Sequence, residues 1–499
     1  MALPPKRSSW ISSRHLDSGP RPQVHLVEES EVFRDLDDSG GAAKVITDAL
    51  KERIAAEKIS IRGEDLAVHS TDKWYASHAP DVVVFAESTE DVIAVMQVAS
   101  AIGVPVTTRG AGVGYVGGCV PVKGGIALSV ARMNRILELN PEDGVAVVEP
   151  GVITGNLQQA ARAVGWDYPP DPASLKECSI GGNIATNAGG PRCLKYGVTR
   201  SYVLGLEVVL ADGRLLRCGG RVHKNKTGFD LVGLFTGSEG MLGVVTQATL
   251  RLIPKPPARA MLAAVFPEFA AAAAAVQGIL NSGHLPSALE ITDGFTLAAA
   301  RKRVGADRLP DGKAHLIVEI DGRPRAVESE IEELHELLDR LGATRIDRAD
   351  TEEACDEIWA LRREFSYSLR DTGLTKLNED IVVPRSKLVD LVNFARGLEK
   401  RSGIAVACFG HAGDGNIHTN LMVADYADPA TRSKADAALD LLFHWVLENG
   451  GAITGEHGIG LAKRAWIRQA LGDAGMAAHQ AIKLALDPKK TLNPGKFLD

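Results

Sequence analysis

The sequence is poor in the residues from which covalent frameworks and metal clusters are built. Only six cysteines occur among 499 residues, and no C-x-x-C pair is present. Disulfide frameworks, zinc ribbons and iron–sulfur sites all need patterned or paired thiols. We therefore expect none of these three, and a reducing cytoplasm is the expected location, with peripheral membrane attachment through an electron acceptor as an alternative.

Basic charge and long apolar runs are also missing. The formal net charge is −7, which offers no basic surface to nucleic acid. The most apolar window, residues 258–280, is interrupted by Pro267 and Glu268 and falls short of the ~20 residues of a membrane span. The first 25 residues contain no apolar segment typical of a secretory signal. We interpret residues 1–40 as a disordered or extended tail, with an organelle transit peptide as the alternative.

Glycine, in contrast, is abundant and clustered. Residues 104–120, VPVTTRGAGVGYVGGCV, join a β-favouring run to Arg109 and five glycines, with Tyr115 as the one bulky side chain among them. Such a backbone can approach an anion closely and present N–H groups to it. The stretch predicts a phosphate cradle, and a plain glycine-rich turn is the alternative.

The cradle differs from a Rossmann dinucleotide site. Gly112, Gly114 and Gly117 satisfy G-x-G-x-x-G, but a Rossmann site needs a helix to begin on the last glycines. Pro121, a glycine pair and a β-rich run follow instead, which predicts a loop and a strand.

Two further stretches have small side chains. Residues 179–190, SIGGNIATNAGG, can pack flat against a ring and still offer hydrogen bonds to it. Residues 234–243, LFTGSEGMLG, lead into a strand predicted over 244–252. Between them, Asp212-Gly213 separates two β-runs, which predicts a hairpin.

The periodicity predicts an α+β fold with a domain boundary near residue 255. Before it, strand 82–85, helix 89–101 and the cradle strand form a β-α-β unit. Beyond Pro254, Pro256 and Pro257, strands at 260–266, 315–321, 376–383 and 405–409 alternate with helices at 268–282, 324–342, 351–370 and 386–401. We expect an antiparallel sheet with helices on one face. The predicted domains are 41–255, 256–449 and a C-terminal segment, 450–499, that returns to the first.

Two histidine motifs carry the candidate chemistry. In FGHAGDGNIH a strand ends, turns through glycines and restarts, so His411 and His418 can converge despite their odd spacing. GEHG supplies Glu456 and His457 between glycines. His411, His418 and Glu456 form a two-imidazole, one-carboxylate set for a divalent metal with open coordination positions, Zn being preferred and Mn or Fe the alternatives. His457 remains as a base. Each histidine alone also fits an ordinary core or surface residue.

Taken together, the motifs resemble a known flavoprotein family over residues 60–499. RGAGVGYVGG, SIGGNIATNAGG, GSEGMLG, FGHAGDGNIH, GEHGIG and the terminal NPGK are similar to the FAD-linked 2-hydroxyacid oxidoreductases of the vanillyl-alcohol oxidase and p-cresol methylhydroxylase (PCMH) fold. This family includes glycolate oxidase flavin subunits and the D-lactate and D-2-hydroxyglutarate dehydrogenases. The resemblance implies a two-part FAD-binding domain of PCMH type and a cap domain that holds the substrate.

The resemblance also assigns roles to residues. His457 is the implied base beside the substrate's 2-hydroxyl, Arg362 the implied partner of its carboxylate, and Asn420 a polar residue nearby, while His411, His418 and Glu456 hold the metal. The implied FAD-binding residues are Arg109, Gly110, Ala111, Gly112, Val113, Gly114, Gly117, Gly118, Pro172, Ser174, Ser179, Gly181, Gly182, Asn183, Thr186, Asn187, Gly189, Gly190, Glu239, Gly243, Val244, Val245 and Asn493.

Two features depart from relatives of this kind. Val113 stands where a covalent histidine link would form, and Cys178 lies too close to Gly181 for the cysteine link, so FAD is expected to be non-covalent. Asn378 stands where D-2-hydroxyglutarate enzymes have a lysine, and Lys376 lies two residues earlier, so a second substrate carboxylate is not expected.

The predicted function is FAD-dependent, metal-assisted oxidation of a small D-2-hydroxy acid, of the D-lactate or glycolate type, with hydride transfer to flavin N5. D-2-hydroxyglutarate dehydrogenase-like activity, a metallohydrolase acting on a phosphorylated substrate and a non-catalytic FAD-binding subunit are the alternatives. The electron acceptor must be separate: an iron–sulfur subunit, an electron-transfer protein, a cytochrome or a quinone. A homodimer is left open.

Overall fold

The computed structural model describes residues 39–498, so nearly all of the predicted tail lies outside the described residues. We call residues 39–254 the N-terminal part and residues 258–449 the cap. In the N-terminal part the helices are α1 (Ser39–Lys51), α2 (Gly63–His69), α3 (Thr89–Ile102), α4 (Thr154–Ala163), α5 (Ile180–Thr186), α6 (Cys193–Tyr196) and α7 (Leu231–Phe235). Its strands are β1 (Ile59–Ser60), β2 (Val82–Phe85), β3 (Val106–Arg109), β4 (Ile126–Ser129), β5 (Ile136–Asn140), β6 (Val145–Val148), β7 (Trp166–Asp167), β8 (Val203–Val209), β9 (Leu215–Gly219), β10 (Val244–Arg251) and β11 (Ile253–Pro254).

The first sheet delivers the glycine cradle. Its strand order is β1-β2-β4-β3, with β2, β4 and β3 parallel. Between β2 and β3, helix α3 begins where the Ser88 side chain accepts the N–H of Asp91, and it ends at Gly103, whose φ of 72° is left-handed. The predicted β-α-β unit is confirmed. No helix follows the cradle, because the chain next forms β4.

The second sheet is antiparallel, in the order β5-β6-β10-β8-β9. The predicted Asp212-Gly213 hairpin joins β8 to β9, and Gly213 has the positive φ of 85° that such a turn needs. Helix α5 was not predicted, since two glycines in a seven-residue helix disfavour it. The helix forms nonetheless because Ile180 and Ile184 are buried in the core beneath this sheet.

The cap has one large antiparallel sheet. Its strand order is β15-β12-β14-β13-β17-β18-β16. The strands are β12 (Ala258–Phe266), β13 (Ala288–Asp293), β14 (Ala314–Gly322), β15 (Arg345–Ala349), β16 (Thr375–Val382), β17 (Ala405–His411) and β18 (Asn416–Val423). The helices are α8 (Phe269–Asn281), α9 (Gly294–Val304), α10 (Pro324–Arg340), α11 (Glu352–Arg370), α12 (Leu388–Ser402) and α13 (Pro429–Glu448). The α+β class and the antiparallel cap sheet are confirmed.

Helices cover both faces of this sheet. Leu262 and Ala264 point into a core shared with α8, α10, α12 and α13. The preceding residue, Met261, points to the other face and packs against Cys355 and Trp359 of α11. The sequence predicted helices on one face; α9 and α11 occupy the opposite face in addition, and that face carries the candidate site.

The C-terminal segment packs against the N-terminal part. After α14 (Ile467–Leu486), the N–H of Val106 donates to the carbonyl of Thr491 at 2.8 Å, and the N–H of Asn493 donates to the carbonyl of Val106 at 2.7 Å. The chain end therefore lies beside β3, directly before the cradle.

Candidate active site

A cavity of about 780 Å³ lies between the N-terminal part and the cap. Both of the first two glycine stretches line it, and so do residues of α11, β16, β17 and β18. The predicted cofactor residues on its wall are Gly110, Ala111, Gly112, Val113, Gly114, Gly118, Pro172, Ser174, Ser179, Gly181, Gly182, Asn183, Thr186, Glu239, Gly243, Val244 and Val245.

Close packing explains why the cradle is built of glycine. Gly117 has a φ of 70°, and a Cβ there would lie 2.9 Å from Leu461 and 3.0 Å from the ring of Trp74. At Gly110 a Cβ would lie 2.5 Å from Ser179 Oγ of the second stretch. The two stretches therefore pack so closely that Gly110 has no room for a side chain, and this part of the cavity wall is formed largely by backbone. This wall fits a flat, phosphate-bearing cofactor such as FAD.

Six predicted cofactor residues do not line the cavity: Arg109, Gly117, Asn187, Gly189, Gly190 and Asn493. Arg109 lies under the cradle, where its guanidinium donates to the carbonyl of Thr71 at 2.5 Å and leaves no room for a Cβ at Gly112. Its guanidinium also reaches Sγ of Cys119 at 3.4 Å and so supports the loop from beneath. Asn493 donates to the carbonyls of Gly118 and Glu239 and so joins the first and third stretches.

Glu239 has a structural task that the sequence did not reveal. Its carboxylate accepts the N–H groups of Ile459 and Gly460, each at 2.8 Å. Burial raises the pKa of Glu239, and these two hydrogen bonds oppose that shift. The third glycine stretch thereby holds the segment that directly follows His457.

The candidate metal ligands converge as predicted. β17 and β18 form a hairpin, and its turn brings His411 and His418 to Glu456, with Nε2–Oε1 distances of 3.5 and 3.3 Å. One ligand atom from each residue lies within 4.8 Å of the others. Burial opposes ionisation of Glu456, but the two histidines outweigh it and hold the pKa of the carboxylate well below its usual range. Two imidazole nitrogens and a carboxylate oxygen in this arrangement fit a divalent metal ion.

Behind this triad lies Glu290, which sequence reasoning missed. It stands directly opposite His411 on the neighbouring strand β13, and its side chain is fully buried. Oε1 is 2.5 Å from His411 Nδ1, and Oε2 accepts from Arg362 Nε at 2.8 Å. Although burial raises the pKa of Glu290, His411 and Arg362 lower it to about 2, so the group is a carboxylate.

Arg362 lies on the cavity wall, with its guanidinium over the Phe409 ring at 4.9 Å. Arg363 is exposed and also reaches the wall. Asn420 does not line the cavity: its amide donates to the carbonyls of Ala407 and His418 inside the sheet. Asn420 therefore contacts the backbone of a triad residue, and the structure does not bring its side chain to the cavity.

His457 is held in place from two sides. Its ring stacks between those of Tyr115 and His418, each with a centroid distance of 5.5 Å. Its main chain is fixed by Asp380, whose Oδ2 accepts the N–H groups of Gly455, Glu456 and His457 at 2.8, 2.9 and 3.0 Å. Burial lowers the pKa of His457 to about 4, against the opposing charge of Asp380. The imidazole is therefore neutral at pH 7 and able to accept a proton.

Comparisons with known proteins bear directly on this arrangement. Residues 80–219 match the family described as "FAD binding domain", and residues 255–497 match "FAD linked oxidases, C-terminal domain". The chain is 39% identical to the glycolate oxidase subunit GlcD of Bacillus subtilis over 418 aligned residues. The alignment covers 84% of this chain and 89% of that protein. The chain belongs to the FAD-linked oxidase family. A D-lactate dehydrogenase of Anaerostipes hadrus is 36% identical, over 86% of this chain and 92% of that protein.

The fold of this FAD-linked oxidase agrees with that assignment. The structure of p-cresol methylhydroxylase with substrate bound superposes with a TM-score of 0.77 and covers 92% of this chain and 97% of that chain, at 21% identity. An identity this low shows the fold alone. The predicted PCMH-type fold and the predicted FAD-linked oxidoreductase class are both confirmed, and the metallohydrolase alternative is set aside.

Proposed function

We propose that this FAD-linked oxidase converts a small D-2-hydroxy acid, of the D-lactate or glycolate type, into the 2-oxo acid. One observation carries the proposal. Arg362, the triad of His411, His418 and Glu456, and His457 share a cavity wall that faces the glycine stretches across the same cavity. Oxidation of a 2-hydroxy carboxylate requires a cation for the carboxylate, a set of metal ligands beside the hydroxyl and a neutral base for its proton.

The cavity wall would hold both cofactors. FAD would lie along the cradle and the second and third glycine stretches, held non-covalently, and the divalent metal, with zinc preferred, would be bound by His411, His418 and Glu456. When bound, FAD would supply a ring that can accept a hydride at N5, and the metal would supply a Lewis acid for a hydroxyl oxygen.

The protein's own residues bind the substrate and move its proton. Arg362 presents a buried guanidinium that lies over the Phe409 ring and is paired on one edge with Glu290, and such a cation suits a carboxylate. His457 is neutral because burial lowers its pKa to about 4, so it can take the hydroxyl proton at pH 7. Its packing between Tyr115 and His418 fixes the direction in which the ring accepts that proton.

The relatives support this substrate class. One is named as a glycolate oxidase subunit and another as a D-lactate dehydrogenase, and both cover most of this chain. The word subunit also supports a separate electron acceptor: an iron–sulfur subunit, an electron-transfer protein, a cytochrome or a quinone. Among residues 39–498, no helix has both the length and the apolar character needed to cross a bilayer. We propose a cytoplasmic protein that meets its acceptor by docking.

An anaerobic screen of flavin bleaching tests the proposal. Glycolate, D-lactate, L-lactate and D-2-hydroxyglutarate would be mixed with the oxidised holoenzyme, and absorbance near the flavin maximum followed by stopped flow. We expect D-lactate or glycolate to bleach the flavin fastest and L-lactate to be poor. D-2-hydroxyglutarate should be slower, because Asn378 lines the cavity and Lys376 is engaged by Ser366 at 2.7 Å. Bleaching by none of the four acids would refute the proposed substrate class.

A further inference from the structure

Glu290 joins two groups that the proposed function treats as separate. Its Oε1 faces Nδ1 of the triad residue His411, while its Oε2 binds both Nε and Nη2 of Arg362, the latter at 2.5 Å. Glu290 itself does not line the cavity, and its side chain is fully buried. It therefore touches neither substrate nor cofactor.

We propose that Glu290 is a positioning residue shared by the metal site and the substrate-carboxylate site. The inference rests on the proposed function, because it assigns a support to the groups that this function uses. A single buried carboxylate then sets the orientation of a metal ligand and of the substrate-binding cation at the same time.

On the metal side, Glu290 selects the tautomer of His411. A carboxylate accepts only, so the proton of a neutral His411 must sit on Nδ1. Nε2 is then left with a lone pair, and this atom already points at Glu456 across 3.5 Å. Removal of such a supporting acceptor typically costs 10–100-fold in metal affinity.

On the substrate side, Glu290 occupies one edge of the Arg362 guanidinium. Nε and Nη2 both bind Oε2, and within residues 39–498 no hydrogen-bond acceptor meets Nη1. Phe365 and Phe409 pack against the guanidinium, with centroid distances of 5.5 and 4.9 Å, and restrict its movement. Nη1 is therefore the guanidinium donor that remains available to bind an anion in the cavity.

Substitutions at Glu290 distinguish a role in positioning both His411 and Arg362 from a role in packing alone. In Glu290→Gln one carbonyl oxygen must serve two donors, so at least one of the two sites loses its acceptor. In Glu290→Met both sites lose it at similar side-chain volume. The matched control is Asp293→Asn, on the same strand: Asp293 is also buried and accepts N–H groups from Thr296 and from Cys408 of β17, but it contacts neither His411 nor Arg362.

Two affinities are measured beside the apparent Tm. Zn²⁺ affinity is obtained by competition with a chromophoric chelator. The affinity for oxalate, a small carboxylate probe, is read from the flavin spectrum of the holoenzyme with Zn²⁺ saturating, so that metal loss does not enter the second measurement. We expect Glu290→Met to lower Zn²⁺ affinity by roughly 10–100-fold and oxalate affinity by roughly tenfold. Asp293→Asn should lower Tm and leave both affinities within about twofold of wild type.

The possible outcomes distinguish failure of this inference from failure of the proposed function. If Glu290→Met and Asp293→Asn lower Tm alike and neither affinity changes, Glu290 is only a packing residue and the inference is overturned. If Zn²⁺ affinity falls but oxalate affinity does not, the shared role is overturned. A wild-type protein that binds no Zn²⁺ refutes both this inference and the metal-assisted part of the proposed function. Suppose that the wild-type protein binds Zn²⁺ and oxidises the acids, while the Glu290 variants keep both affinities. This result would refute the inference alone and leave the proposed function standing.

Discussion

Asp380 fixes the main chain of His457: its Oδ2 accepts the backbone N–H at 3.0 Å, while the imidazole Nδ1 lies 4.0 Å from the same oxygen. The same carboxylate accepts the N–H groups of Gly455 and Glu456, so the candidate metal ligand Glu456 and the candidate base His457 are held by one buried charge. His411 and His418 are placed by a strand hairpin, but Glu456 and His457 lie in a loop that has no regular structure of its own. The loop depends on Asp380 for its shape.

Asp380→Asn should therefore destabilise the protein and slow the reaction. The substitution removes the charge from four hydrogen bonds to Oδ2 and leaves Lys463 without its buried counter-charge. We expect a stability loss of roughly 3–5 kcal/mol, read as a fall in apparent Tm. Flavin reduction should slow roughly ten- to a hundredfold through misplacement of His457. The control is Glu379→Gln, at the preceding residue of β16, for which a clearly smaller effect is expected. Equal effects would show that Asp380 does not act through the loop.

Neighbouring residues 456 and 457 should separate into a ligand and a base. His411→Ala and Glu456→Gln remove a donor of the triad, so both should lose bound metal. His457→Asn should retain metal and flavin but slow flavin reduction by ~10²–10⁴, the usual contribution of a positioned base. Elemental analysis and stopped-flow absorbance on each variant make the comparison. Metal loss in His457→Asn with retention in Glu456→Gln would reverse the two assignments.

Arg362 and Arg363 should differ sharply although both reach the cavity wall. Arg362 is buried and locked by Glu290, whereas Arg363 is exposed. Arg362→Met should raise KM and lower kcat/KM by roughly 2–4 kcal/mol, because a charge-assisted contact to the substrate carboxylate is lost. Arg363→Met should change kcat/KM much less. Steady-state kinetics with an artificial electron acceptor give kcat/KM for both variants. Similar losses of kcat/KM in the two would show that the substrate carboxylate does not bind on the Arg362 side of α11.

FAD should dissociate from the denatured protein. Val113 lines the cavity with a side chain that cannot form a flavin link, and Cys178, also on the wall, is 5% exposed and lies 3.3 Å from Thr154 Oγ1. After acid precipitation we expect all yellow colour in the supernatant. Colour that stays with the pellet in wild type but not in Cys178→Ala would identify a covalent link at Cys178.

His315 should make the protein less stable in mild acid. Burial lowers the pKa of His315 to about 4, and its Nδ1 has no hydrogen-bond partner among residues 39–498. In the unfolded chain histidine titrates near pH ~6.5, so the unfolded state binds the proton first as pH falls. Stability is therefore lost between pH ~6.5 and about 4, by about 3 kcal/mol at most.

The measurement is the Tm difference between wild type and His315→Gln as a function of pH. The variant cannot bind this proton, so the difference should shift in its favour as pH falls from 7 towards 4. His444→Gln, at a histidine whose side chain is 47% exposed, serves as the control and should follow wild type. A pH-independent difference for His315→Gln would contradict the prediction.

The sequence by itself determined the local features of this protein. The glycine stretches, the β-α-β unit, the hairpin at Asp212-Gly213 and the convergence of His411 with His418 depend on residues close together in the chain. Backbone permissiveness, capping and strand-turn geometry act over a few residues, so they can be read from the sequence. The predicted strands and helices of the cap were found for the same reason. Helix α13, whose N-cap is Asp428, carried a readable signal that the prediction passed over.

Only the tertiary structure decided which residues support the site. Glu290 meets His411 because β13 pairs with β17, and it meets Arg362 because α11 crosses that face of the sheet. Asp380 and Glu239 hold the loop around His457 from sequence distances of 77 and 220 residues or more. Arg109, by contrast, does not line the cavity, and its guanidinium donates to the distant carbonyl of Thr71 and to Sγ of Cys119 in its own loop. A buried charge takes the partner that long-range strand pairing and packing bring to it, and no local pattern in the chain specifies that partner.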